Sequence, residues 1–143
     1  GSREHDALTA VLDSGQGVFV MHHAVLAYLE WSEWADLVGV QERGFGYHIG
    51  ERLSVDVADE SHPITAGIDA FEVDDEIYMS AWDPGIHVLA SAEWSEKRHP
   101  LAWTQSFGKG RVFYTALGHG PGTFERPAMQ KLMTQGTRWA AAA

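Results

Sequence analysis

Apolar residues in the first third of the chain change from helical spacing to a continuous run and back. Residues 5–13 carry apolar side chains at helical spacing, and a glycine-rich turn at 14–17 stops the pattern. The uninterrupted apolar run at 18–21 predicts a buried strand. Three- and four-residue spacing then predicts an amphipathic helix over 25–38 that ends near Gly39. The chain is therefore expected to open as helix, strand, helix.

The remainder of the chain is dominated by short apolar or β-branched runs separated by turn residues. They lie at 47–49, 53–57, 71–78, 88–90, 101–104 and 112–117, and they predict strands. Gly108 and Gly110 can supply the positive φ angles of a tight hairpin between 102–104 and 112–114. Pro127 suits the first turn of a closing helix. Together these patterns predict an α/β fold with a partly parallel sheet, flanking helices and an antiparallel hairpin insertion.

Length and charge narrow the class of protein. A chain of 143 residues with 45% hydrophobic content can bury one core, and no linker divides it, so we expect one domain over 1–143. The formal net charge of −10 disfavours nucleic acid and anionic membranes as partners. The sequence shows neither an apolar run of about 18 residues nor a signal-peptide pattern, so the expected location is the cytoplasm.

The absence of cysteine removes several kinds of chemistry from this chain. Disulfides, thiolate metal sites and cysteine nucleophiles all need a residue type that the sequence does not contain. Histidines, carboxylates and hydroxyls are the groups that remain for a functional site.

Five separated motifs occur along the chain in a recognisable order. They are GQGVFVMHHA at 15–24, HPIT at 62–65, DDEIY at 74–78, PLAW at 100–103 and GKGRVFYTALGH at 108–119, and GTRWA follows at 136–140. In this order they resemble the ThuA-like, or trehalose utilisation, family over nearly all of the chain. The resemblance implies the flavodoxin-like fold of class I glutamine amidotransferases and a role in the metabolism of trehalose, other disaccharides or keto-sugars.

The resemblance also shows a departure at the start of the chain. Members of the family carry several dozen residues, including the first β-α units, before the segment that matches 15–24. Either the chain is a fragment, or its lineage has lost these units and covers the sheet edge in another way. An uncovered strand would expose unpaired backbone groups, so a homo-oligomer is one expectation.

His22 and His23 follow the predicted strand at 18–21, the position at which open α/β sheets bind ligands. The resemblance places His22 at or near the elbow that holds the nucleophilic cysteine in the related amidotransferases. Adjacent side chains of a strand point to opposite faces, so only one histidine faces the cleft unless the chain turns there. Either residue could instead be a hydrogen-bonded core histidine.

His119 ends another apolar run and is flanked by glycines that let a ligand approach the backbone. If this strand is parallel to the first, His119 and His22 share one edge of the sheet. These two residues and His23 are candidate ligands for a divalent metal, although their spacing matches no metal motif and an ordinary polar pocket is the alternative.

The acidic run at 74–76 offers a carboxylate for acid-base chemistry. Strand alternation places Glu76 and Tyr78 on one face, which makes Glu76 a candidate catalytic residue beside His22 and His119, and Tyr78 a candidate substrate-binding residue. His23 and His62 are further substrate-binding candidates, although the HPIT segment also suits a structural turn.

Two classes of function stay open at this point. One is an acid-base or metal-assisted sugar-processing enzyme, a hydrolase or isomerase, in which aromatic residues such as Trp31 could stack on sugar rings. The other is a catalytically silent module that binds a sugar or a protein. Glutamine hydrolysis is excluded for this chain because thioester formation needs a thiol.

Overall fold

A mixed six-stranded β-sheet with helices packed against it organises residues 2–142, the part of the chain that the computed structural model describes. The strands are β1 Val18–Met21, β2 Tyr47–Val57, β3 Phe71–Tyr78, β4 His87–Trp94, β5 Lys97–Phe107 and β6 Gly110–Thr115. The α-helices are α1 Arg3–Asp13, α2 Ser32–Val38, α3 Pro121–Phe124 and α4 Pro127–Ala141, and a 3-10 helix spans His22–Leu26. The predicted α/β class is confirmed.

The strand order is β1-β6-β5-β4-β2-β3. β1 and β6 are parallel, with Val20 opposite Tyr114, and the other neighbouring strands in this sheet are antiparallel. Most of the sheet is therefore antiparallel. Its parallel part is the pair β1 and β6, which leads into His22 and into the segment before His119. β1 and β3 lie at the two edges of the sheet.

The hairpin predicted around residues 107–111 forms between β5 and β6. Phe107 pairs with Gly110, and Gly108 has a φ of +56°, a backbone conformation that favours glycine. This tight reversal fixes the register of β6 against β5.

The helix predicted over 25–38 is wrong as a continuous element. The 3-10 helix ends at Leu26, the chain is irregular over 27–31, and α2 begins only at Ser32. Tyr28 has a φ of +49°, in the left-handed region, and a residue with this backbone conformation cannot lie inside an α-helix. The end at Gly39 is confirmed, since Gly39 caps α2 in the left-handed region with a φ of +78°.

The helices α2 and α4 pack on opposite faces of the sheet. On one face the Trp103 indole N–H donates to the Val38 carbonyl at 2.9 Å. On the other face α4 lies so close to the buried Phe113 that Gly136 has no room for a Cβ. None of the helices among residues 2–142 is long and apolar enough to cross a membrane.

Candidate functional site

The carboxyl ends of the parallel strands β1 and β6 bring two histidines together. His22 follows directly after β1, and His119 lies four residues beyond the end of β6. Neighbouring parallel strands end on the same side of the sheet, so the two residues come together, and their ring centroids are 5.6 Å apart. The predicted shared edge is confirmed.

His22 is buried and held in a strained backbone conformation. Its φ is +48°, in the left-handed region that residues with a side chain seldom adopt. Two bonds from one segment hold it there: its Nδ1–H donates to the Ala116 carbonyl at 2.6 Å, and the Tyr114 hydroxyl donates to the His22 carbonyl at 3.2 Å. The turn at His22 also brings His23 to the same cavity, so both histidines line it.

The contact with the Ala116 carbonyl fixes the tautomer of His22. A carbonyl oxygen only accepts, so Nδ1 must carry the proton, and in the neutral ring Nε2 presents a lone pair. The Tyr78 hydroxyl lies 3.1 Å from Nε2 and can donate to it. Burial raises the pKa of Tyr78, and the nearby charges of Glu76 and Asp75 raise it further. Tyr78 therefore stays protonated near neutral pH.

Glu76 joins the two histidines through one oxygen. Its Oε2 lies 2.6 Å from His119 Nδ1 and 3.3 Å from His22 Nε2, and its side chain is only 8% exposed. The short distance to His119 is that of a charge-assisted hydrogen bond, in which Nδ1–H donates to the carboxylate. The neutral His22 ring carries its proton on Nδ1 and has none on Nε2, so in that state its 3.3 Å approach to Glu76 is a contact and not a hydrogen bond. His119 Nε2 is left free of this bond on a ring that is 41% exposed. We refer to His22, Glu76 and His119 as the histidine–carboxylate cluster.

Asp75 positions this cluster, although the sequence pattern did not identify it. Its buried carboxylate accepts the backbone N–H groups of Gly118 at 2.9 Å and His119 at 3.0 Å, and the Thr123 hydroxyl at 2.8 Å. It also accepts the N–H of its neighbour Glu76 at 2.7 Å. Alternation correctly placed Asp75 on the face opposite Glu76, but nothing local in the sequence indicated that a loop more than 40 residues away would donate to it.

The cluster forms the polar end of an open cavity of about 590 Å³. The cavity is lined by His22, His23, Leu26, Phe45, Tyr47, Ile49, Glu76, Tyr78 and His119. Its walls are mostly apolar or aromatic, and neither lysine nor arginine is among these lining residues. Such a combination of apolar walls and a few convergent polar groups is typical of small-molecule sites.

His62 lies in a different place from the other predicted site residues. Its ring packs near His87 and Trp139, with centroid distances of 5.8 and 5.5 Å, and its Nδ1 accepts the Ile64 backbone N–H at 3.1 Å. Burial lowers the pKa of His62, and the neighbouring His87 lowers it further. The structure therefore gives His62 a turn-stabilising contact and does not bring it to the cavity.

The fold and site define a class: a mixed α/β protein with a histidine–carboxylate cluster at the carboxyl ends of its parallel strands. The sequence profile of the ThuA family, described as trehalose utilisation, matches residues 2–140. The chain belongs to this family, which supports a carbohydrate-related role at the family level. No curated protein matches the sequence significantly.

Solved structures with the same fold include two bacterial proteins of similar architecture. A ThuA-like protein from Parabacteroides merdae has a TM-score of 0.81 and 22% identity, over 96% of this chain and 64% of its own. A cytoplasmic protein from Salmonella typhimurium has a TM-score of 0.74 and 12% identity, over 96% of this chain and 60% of its own. The chain thus spans less than two thirds of the length of these proteins.

The same fold also occurs inside a much longer enzyme. A cold-adapted β-galactosidase from Rahnella sp. R3 matches 96% of this chain with a TM-score of 0.65 and 13% identity, over only 21% of its own length. Identities this low show a shared fold and carry no activity over to this chain.

Proposed function

We propose that the chain is a carbohydrate-processing domain that acts by acid-base chemistry on an uncharged sugar, either a disaccharide of the trehalose type or a keto-sugar. The observation that carries this proposal is the single oxygen of Glu76 in contact with both His119 and His22 at the wall of a cavity. The reaction would be a hydrolysis or an isomerisation.

His119 is the proton-transferring group in this proposal. Because Nδ1–H is directed at Glu76, the neutral ring keeps Nε2 as a base, and the carboxylate stabilises the imidazolium that forms when Nε2 takes a proton. Its exposure, greater than that of His22, fits a group that meets a ligand.

His22 and Tyr78 supply the second polar contact of the cavity. The protonated Tyr78 hydroxyl donates to His22 Nε2, and His22 is fixed in turn by the Ala116 carbonyl. A sugar hydroxyl that replaced this contact would meet one acceptor and one donor in defined positions. His23 lines the cavity outside the cluster and is a candidate for substrate binding.

The donor atoms of the cluster also fit a divalent metal ion. His22, Glu76 and His119 each offer one ligand atom, and these three atoms lie within 4.8 Å of one another. The His22 Nδ1–H bond to a carbonyl is typical of metal-binding histidines. Ligands on one tetrahedral zinc ion lie about 3.3–3.5 Å apart, so the 2.6 Å contact between His119 and Glu76 would have to open. When bound, an ion would polarise a carbonyl or acidify a water molecule.

A catalytically silent binding module is the second candidate function. The observation in its favour is that this fold forms about a fifth of the β-galactosidase from Rahnella sp. R3. In that case the cavity would bind a sugar or a partner without turnover.

Several broader statements belong to the same proposal. We propose a single domain with the flavodoxin-like architecture of the amidotransferases, located in the cytoplasm and without nucleic-acid or membrane partners. Self-association through an uncovered sheet edge is the associated hypothesis, and sedimentation of the purified protein at several concentrations tests it.

A sugar panel tests the functional proposal. Binding by NMR titration and turnover by product chromatography are measured for trehalose, other disaccharides and keto-sugars, before and after chelation and after addition of Zn²⁺ or Mn²⁺. We expect turnover of at least one sugar, and at least about a hundredfold loss of turnover in His119→Ala and Glu76→Gln. Loss of turnover on chelation that an added ion restores would identify a metal-assisted mechanism.

His87→Ala is the matched control. His87 is an exposed histidine that contacts a carboxylate, Asp59, at 2.8 Å and does not line the cavity, so its removal should leave turnover unchanged. Sugar binding without turnover under any condition would contradict the enzymatic proposal and support the silent module. Failure to bind any sugar would contradict the enzymatic proposal and the sugar-binding form of the silent module, and would favour a module that binds a partner.

A further inference from the structure

We propose that a second cavity beside the histidine–carboxylate cluster is a subsite for a second, uncharged sugar unit of the same ligand. The inference rests on the proposed function. This second cavity, here called the aromatic cleft, is lined mainly by His5, Leu26, Tyr28, Leu29, Glu30 and Trp31 and has a volume of about 700 Å³.

The aromatic cleft and the first cavity are neighbours that share one wall residue. Leu26, the last residue of the 3-10 helix that begins with His22, lines both. A ligand with one ring against the cluster would therefore extend over Leu26 to place its next ring in the cleft. Single sugars would fill the first cavity alone.

The wall of the aromatic cleft is rigidly built. The Arg43 guanidinium donates to four backbone carbonyls of the irregular segment 27–31, at distances from 2.7 to 3.3 Å. Tyr28, within this segment, has a φ of +49°. Strained backbone of this kind persists where surrounding contacts hold it, and it is concentrated at ligand-binding positions. A loop held in this way loses little freedom when a ligand binds.

The side chains of the cleft suit an uncharged sugar. Tyr28 is 45% exposed, and its ring is supported edge-to-face by Trp31 at 5.7 Å and Trp34 at 5.3 Å. An exposed, supported aromatic ring offers a flat apolar surface to the C–H face of a sugar, and Glu30 can accept hydroxyl hydrogens. Glu30 and Glu76 repel anions, and the described residues that line the two cavities include no lysine or arginine, so phosphorylated and acidic sugars are disfavoured.

The test compares one-ring and two-ring ligands in Tyr28 variants. Dissociation constants for glucose, trehalose, maltose and trehalose 6-phosphate are measured by NMR titration of the unchanged protein, Tyr28→Ala and Tyr28→Phe. We expect Tyr28→Ala to weaken the better-bound disaccharide at least tenfold, ~1.4 kcal/mol, and to leave glucose within twofold. Tyr28→Phe keeps the ring and should bind both ligands as the unchanged protein does, and the phosphorylated sugar should bind more weakly than its neutral counterpart.

Trp82→Ala serves as the control because Trp82 is a partly exposed aromatic residue that lines neither cavity. If Tyr28→Ala leaves sugar binding unchanged, or weakens the binding of glucose and of the disaccharide equally, the subsite is overturned. The proposed function would still stand. A shift in sedimentation on Tyr28→Ala with unchanged sugar binding would assign the cleft to a protein contact instead. Absence of all sugar binding in the unchanged protein would overturn both proposals.

Discussion

Replacement of Asp75 by Asn should disturb the histidine–carboxylate cluster while preserving side-chain volume. Asp75 Oδ1 accepts the N–H groups of Glu76 and His119, and Oδ2 accepts the Gly118 N–H and the Thr123 hydroxyl. Asparagine can present oxygen on only one side. The hydroxyl of Thr123 can rotate and accept, whereas a backbone N–H cannot, so the amide nitrogen should take the Oδ2 position.

The expected loss in the free energy of unfolding follows from the polar groups that the substitution leaves without a hydrogen-bond partner. With nitrogen at the Oδ2 position the Gly118 N–H loses its acceptor, and an unsatisfied buried donor costs about 1–3 kcal/mol. The contacts to Glu76 and His119 persist but lose their charge assistance, which roughly halves the strength of such bonds. We therefore expect the free energy of unfolding to fall by about 2–3 kcal/mol, with the loss centred on residues 118–123.

Two measurements separate a positioning role from a general loss of stability. Urea unfolding gives the change in free energy, and amide hydrogen exchange reports how firmly the backbone of residues 118–123 is held. If Asp75 holds this loop in place, the amide hydrogens of Gly118 and His119 should exchange faster in Asp75→Asn than the lower global stability accounts for.

Asp74→Asn is the matched control, since it makes the same change one residue earlier. Asp74 is exposed and pairs with Arg52 at 3.1 Å, and exposed ion pairs contribute little to stability. Equal effects of the two substitutions on stability, or unchanged amide exchange at Gly118 and His119 in Asp75→Asn, would refute the reasoning.

Two further predictions concern packing and pH. Gly136→Ala should destabilise the protein by up to about 2 kcal/mol in thermal or urea unfolding, because displacing the fully buried Phe113 ring costs about 1–3 kcal/mol against a helix-propensity gain of about 1; a stabilised variant would contradict this packing. The lowered pKa of His62 means that the unfolded chain binds its proton more readily, so His62 should contribute a loss of stability as the pH falls below about 6.5. Urea unfolding from pH 7.5 to 5 should show a smaller loss in His62→Asn, and an identical slope would contradict the assignment.

The sequence was sufficient where local patterns decide the structure. The apolar run at 18–21 is the observed β1, and alternation in β3 correctly put Glu76 and Tyr78 on one face. The glycines around Lys109 correctly indicated the hairpin between β5 and β6. Each of these features depends on residues within a few positions of one another, so short-range rules apply.

The sequence did not predict features of the structure that depend on contacts between segments far apart in the chain. Continuous apolar spacing over 25–38 suggested one helix, but the contacts of Arg43 with the carbonyls of 27–31 stabilise a different backbone path. The role of Asp75 depends on a loop that lies three strands further along the chain. His62 shares a residue type with the cluster but lies beside Trp139. Composition and spacing carry no information about such long-range placement.

The register of β1 against β6 is what connects the fold to the chemistry of the site. Met21 lies opposite Thr115, so His22 comes level with the segment whose Ala116 carbonyl fixes its tautomer. The same segment continues to His119, so a shift of one residue would move the tautomer-fixing carbonyl and the second histidine together. Side chains of a strand alternate between faces, and such a shift would also turn the Tyr114 hydroxyl away from the His22 carbonyl. The strain at His22 and the bonds that hold it therefore depend on one strand pairing, that of β1 with β6.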